Sequence, residues 1–168
     1  MARAQSEAGA LEEAAQALGR GQFAEAEALC RAALARNPRH AQLRALLGAS
    51  LRRQRRLDEA EAELRGVVEH WPRSSSAHVD LGEVLLDQRR FGEAAESFAA
   101  ALELSPRAPR AHFKLGVALE RQRRWSEAEA AYAEAARLKP GHGLAHLRQA
   151  LMCRRQARTH DEEAALRR

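Results

Sequence analysis

The 168-residue chain carries 28 Lys and Arg against 23 Asp and Glu, a net charge of +5 with a pI near 10.2. That balance permits acidic proteins, nucleic acid or anionic membrane as partners without choosing among them. Aromatic residues are 4% of the chain while AVILMFWYC reach 45%, so Ala and Leu carry the apolar load; with abundant Glu and Arg this favours helices and argues against strands.

The N-terminal stretch MARAQSEAGALEEAAQ has no sustained apolar segment, and no run elsewhere is long enough for a membrane span. A secretory signal and export are therefore not expected. The only cysteines, Cys30 and Cys153, lie far apart in helical apolar patterns and are expected as small buried hydrophobes in a reducing cytosol.

One phrase organises the chain. LRRQRRLDEAEAEL at 51–64 returns as LLDQRRFGEAAESF at 85–98 and LERQRRWSEAEAAY at 119–132, a step of 34 residues. Each copy reads as one helix ending in positive charge and another starting in negative charge. With position 1 at Glu7, Ala41, Ser75, Pro109 and Gly143, the units run over 7–40, 41–74, 75–108, 109–142 and a partial 143–168, all within one domain spanning 1–168. In the opening helices Leu47, Leu81 and Leu115 precede Gly48, Gly82 and Gly116, and Leu51, Leu85 and Leu119 follow. Phe23, Leu57, Phe91 and Trp125 occupy the turn. The second helices carry Ala26, Ala60, Ala94 and Ala128, then Ala33, Val67, Ala101 and Ala135, and Pro38, Pro72, Pro106 and Pro140 close the units.

Small residues at fixed helical offsets let two helix backbones approach, and proline stops the second helix before the next unit begins. Ser126 with Glu129, and Asp58 with Glu61, have the spacing of a capping box at the second helix's start. Arginines just upstream stand at the first helix's carbonyl end, where cations are favoured. In the last unit, Arg158 to Asp161 read as a turn leading into a short EEAALRR segment, so a full final helix is not expected.

HVDLGEVLLDQRRFGEAAESFAAALELSP (78–106) and HFKLGVALERQRRWSEAEAAYAEAARLKP (112–140) resemble the tetratricopeptide repeat, a 34-residue helix-turn-helix family. The likeness runs from about Glu7 nearly to the end. It departs from the family where His78, His112 and His146 replace a frequent Trp, where Arg55, Arg89 and Arg123 replace a common turn glycine, and where Glu13 stands in place of Leu.

The resemblance implies an all-α, right-handed superhelical solenoid of about five units, whose first helices line a concave groove that holds a peptide or partner protein. Positions 2, 5, 9 and 12 of those helices share one face. The groove residues expected from them are Arg52 in the second unit, Val79, Glu83 and Leu86 in the third, Arg110, Phe113, Val117 and Glu120 in the fourth, and Leu147, Leu151 and Arg154 in the last. Their apolar centre suits an amphipathic helix or an apolar extended segment. Neither the Asn and Lys carboxylate clamp nor the Asn ladder of some relatives is supported, because Asn37 is the only asparagine.

The recurrent arginine joints are expected chiefly as helix-end charges paired with the following glutamates, and secondarily as a ridge for an acidic partner. Nucleic acid is not expected, since base stacking wants aromatics interleaved with the cations. His142, His146 and Cys153 fall near one helix face, but the histidine recurrence reads as a repeat feature at the seam, so no metal and no other cofactor is expected. No phosphate-cradling glycine loop or nucleophile elbow is present, and a catalytic role is not expected. The expected function is that of a cytoplasmic adaptor. The alternative is the recognition part of a larger transferase, because this Arg- and Ala-rich style resembles repeat segments preceding bacterial sulfotransferase and glycosyltransferase domains. Self-association through the C-terminal end is a further expectation.

Overall fold

The computed structural model describes the backbone of residues 2–166 and the side chains of residues 8–157. Among the described residues there are nine helices and no strand: α1 (Ala2–Gly19), α2 (Phe23–Leu34), α3 (Ala41–Arg53), α4 (Leu57–His70), α5 (Ser75–Asp87), α6 (Phe91–Leu104), α7 (Pro109–Arg121), α8 (Trp125–Leu138) and α9 (Gly143–Leu166). They form two compact units, one ending at Gln88 and one starting at Arg89.

In the first unit α1 packs on α2, α2 on α3, α3 on α4 and α4 on α5; in the second, α6 packs on α7, α7 on α8 and α8 on α9. The small-residue slots are buried. Ala26, Ala60, Ala94, Ala128, Ala33, Ala101 and Ala135 are wholly buried, Val67 nearly so, and Gly48, Gly82 and Gly116 are buried as well. A Cβ on Gly48 would lie 2.8 Å from Leu64 Cγ, and one on Gly116 would lie 2.7 Å from Tyr132 Cε1. The glycine is therefore the recess that receives a large side chain from the second helix of the same hairpin.

The joints between first and second helices share one backbone device. Arg56 N–H donates to the Leu51 carbonyl (3.0 Å) and Arg55 N–H to Arg52 (3.0 Å), the Schellman closure, and Arg124 with Leu119 and Arg123 with Glu120 repeat it at 3.0 and 3.1 Å. The closure needs a left-handed residue, which is Gly21 (φ 80°) in the first hairpin but Arg55, Arg89 and Arg123 (φ 65°, 63° and 62°) in the others.

The capping boxes expected at Asp58 and Ser126 do not form. α4 and α8 begin at Leu57 and Trp125, so both residues lie inside the first turn, and the N-cap positions Arg56 and Arg124 make no side-chain cap. Side-chain caps serve the first helices instead. His40 Nδ1 accepts from Leu43 N–H (3.3 Å), Ser74 Oγ from Ala77 N–H (3.4 Å) and His142 Nδ1 from Ala145 N–H (3.2 Å), while α7 opens with Pro109, whose missing N–H needs no partner.

Two further expectations are corrected. α9 continues through 158–161, where a turn was predicted, because that stretch contains no Gly or Pro and leads into good helix formers. Cys30 is buried, as expected, and its thiol is pushed up to about 11 by burial. Cys153 is exposed: its Sγ donates to Glu129 Oε1 (2.8 Å), a bond that raises the thiol's pKa.

Candidate partner-binding surfaces

In the first unit the residues predicted for the groove satisfy one another. Arg52 donates through Nη1 to Glu83 and through Nε to Asp87 (2.6 Å). Burial would lower the guanidinium's pKa, but the two carboxylates raise it overall. Glu83 is only 4% exposed, Val79 is buried beside it in α5, and Leu86 is half-buried.

In the second unit the predicted residues divide between two helices. On α7, Arg110 is exposed, and Phe113 is half-buried against Ala135, Ala136 and Ala145, with its ring 5.4 Å from Tyr132 and stacked 4.8 Å from His142. Val117 is half-buried one turn on. Glu120 accepts from Tyr132 Oη (2.7 Å) and from Arg148 Nη1 (2.8 Å), a link that ties α9 to α7. Burial and the Glu120 bond push the Tyr132 hydroxyl well above its ordinary range.

On α9, Leu147 is 57% and Leu151 39% exposed, and Leu144, a turn earlier, is 48% exposed. Spaced by three and four residues, they form one apolar stripe that ends at the exposed Arg154.

The arginine joints are largely committed to the fold. Arg56, Arg90 and Arg124 each grip the glutamate three residues on, Glu59, Glu93 and Glu127, through Nε and Nη2 at 2.5 to 2.7 Å. Arg53, Arg121 and Arg155 lie over the turn rings Phe23, Phe91 and Trp125 of the preceding hairpin, at 4.8, 5.7 and 5.0 Å. Where the turn residue is Leu57 the matching position is Asp87, which pairs with Arg52 instead.

The seam histidines are structural: His78, His112 and His146 set Nε2 at 2.9, 2.9 and 3.0 Å from the carbonyls of Pro72, Pro106 and Pro140, and Arg44 Nε does the same at Pro38 (2.7 Å). Among the described residues no group of three or more His, Cys, Asp or Glu is placed to hold a metal ion.

Sequence reasoning missed a second set of repeat contacts. Gln54, Gln88 and Gln156 reach back to Glu27, Glu61 and Glu129 of the preceding hairpin at 2.8, 2.9 and 2.5 Å. The signal was the glutamine standing at 34-residue intervals inside the same arginine-rich phrase.

Recessed glycines, left-handed joints and proline-closed second helices define a protein of repeated helical hairpins. The chain belongs to the tetratricopeptide repeat family, whose models match residues 17–81 in one case and 79–143 and 121–168 in another.

Among solved structures, pilF of Pseudomonas aeruginosa is similar at TM-score 0.87 and 21% identity, over 94% of this chain and 72% of that one. MamA of Desulfovibrio magneticus RS-1 follows at 0.79 and 20% identity, covering 96% and 90%. TTC0263, a thermophilic TPR protein of Thermus thermophilus, is similar at 0.77 and 19% identity, covering 87% and 80%. At these identities the likeness concerns the fold. No curated protein sequence matches.

Proposed function

We propose that the protein is a non-enzymatic cytoplasmic adaptor that holds a segment of a partner protein against the first helices of its hairpins. The observation that carries this reading is the Leu144, Leu147 and Leu151 stripe, which supplies three of the four exposed large hydrophobic residues among the described ones. Apolar side chains grouped on one helix face mark an interaction site more often than scattered ones do. Phe113 and Val117 on α7 extend the apolar character. Arg154 is exposed at the end of the stripe, and Glu120 is already neutralised by Arg148, so the partner segment best suited is an amphipathic helix with an acidic flank. Among the described residues no helix is long and apolar enough to cross a membrane.

The test is capture of partners from native extract with the parent chain and with Leu147→Glu. The parent should retain a protein that the variant loses, and the retention should weaken as salt is raised. A variant that retains the same protein equally well would remove the groove assignment.

A further inference from the structure

The junction of α2, α3 and α4 is closed by a polar network. Glu27 on α2 accepts from Gln54 Nε2 (2.8 Å) and Arg56 Nη1 (2.6 Å), and Arg31 bridges Glu27 (2.9 Å) and Glu59 (3.4 Å). Two repeats later, Gln122, Arg124 and Glu127 correspond to Gln54, Arg56 and Glu59. Glu27 and Arg31, however, are matched by Ala95 and Ala99. Where those two side chains would stand, α6, α7 and the start of α8 surround a cleft of about 360 Å³.

The donors remain. Arg124 holds Glu127 through Nε and Nη2, and its Nη1, the nitrogen whose counterpart on Arg56 holds Glu27, has no acceptor among the described residues. Gln122 Nε2 keeps the turn-carbonyl bond that Gln54 also makes (Phe91 at 3.0 Å, as Phe23 at 3.4 Å) and, with no carboxylate to reach, gives its other N–H to the Ala118 carbonyl (3.2 Å), the bond a bound carboxylate would replace. Leu115 and Leu119 give the cleft an apolar wall, and the exposed Glu96 stands at its lining.

We propose that this cleft binds a glutamate side chain of a partner polypeptide, seated as Glu27 is seated in the first unit, with Gln122 Nε2 and Arg124 Nη1 as donors. The leucines and alanines receive its methylenes. With Arg124 paired to Glu127, Glu96 leaves the cleft negative and opposes any lone carboxylate, so the bound glutamate needs a basic residue beside it facing Glu96, as Arg31 accompanies Glu27. That favours a peptide-borne glutamate over a small dicarboxylate. The cleft shares no residue with the groove proposed above, so either site can fail without the other.

Ala95→Glu tests the vacancy from within the chain. Supplying the missing carboxylate should raise Tm, and an unchanged or lowered Tm overturns the proposal. The second test titrates the short peptide acetyl-Ala-Glu-Lys-Ala-amide into the full chain, followed by NMR on the Gln122 side-chain amide and the Arg124 Nε–H. Saturable shifts are expected, roughly tenfold weaker with Gln in the peptide and likewise weaker in Arg124→Gln or Gln122→Leu, a loss equivalent to one charge-assisted hydrogen bond. Ala95→Glu should abolish them. Absence of saturable shifts, or equal response to the Gln peptide, overturns the proposal; so does tighter binding of free glutarate than of the peptide.

Discussion

Arg55, Arg89 and Arg123 hold the left-handed conformation that lets each first helix close on itself. For a residue with a Cβ that conformation costs about 1–2 kcal/mol, and in the first hairpin Gly21 avoids it. Replacing Arg123 by Gly should therefore stabilise the chain by about 0.5–1 kcal/mol, the relief of strain being partly offset by the freer unfolded chain. A thermal melt checks this: Tm should rise for Arg123→Gly and fall for Arg123→Val. The opposite order would show that the joint is not limited by backbone strain.

Between elements, the glycine recess and the glutamate networks determine how hairpins fit. Gly116→Ala would drive a Cβ to 2.7 Å from the Tyr132 ring, which is wholly buried and tied to Glu120. The ring cannot swing aside without losing that bond, so a loss of about 1–3 kcal/mol is expected in chemical denaturation. Glu27 makes the corresponding electrostatic point. Burial alone would raise its carboxyl, but hydrogen bonds from Gln54, Arg31 and Arg56 outweigh it and hold the pKa at about 2, below the ordinary 4.5. A depressed carboxylate stabilises the fold fully above its unfolded pKa and loses that contribution as pH falls through the folded one. Glu27→Gln should therefore lower Tm at pH 7 and make little difference near pH 2. If the Tm gap between parent and variant stays constant from pH 7 to pH 2, the network contributes no charge-dependent stability.

For the whole molecule, the distinction that matters is between apolar residues the fold uses and those it leaves outside. Phe113 packs on the α8 and α9 alanines and on two rings, so Phe113→Glu should lower stability as well as any binding. Leu147 is more than half exposed, so Leu147→Glu should leave stability within about 0.5 kcal/mol of the parent while abolishing partner capture. Circular dichroism melts alongside the capture assay separate the two. A large Tm drop in Leu147→Glu would mean that the stripe belongs to the core.

The hairpins themselves were legible in the amino-acid order. Gly48 and Gly116, the Ala26 and Ala33 series, and the four closing prolines recur because each meets a local steric requirement that the same spacing satisfies in each repeat. Caps and turns were less legible. Asp58 and Ser126 had the right spacing for a cap but the helix starts ahead of them, and His40 and His142 cap through a ring nitrogen that composition does not advertise. The turn expected at 158–161 failed for want of a breaker residue.

What the sequence determined alone was the repeat, the pairing of helices and the small residues at their contact, since these depend on spacing within a single hairpin. Only the tertiary structure decided that Val79 and Glu83 are buried while Leu147 is not, and that the side chains at 27 and 31 join a network with Gln54 and Arg56 whose counterpart at Ala95 and Ala99 borders a cleft. Those outcomes depend on what a neighbouring helix brings to the same space, and spacing along the chain does not record it.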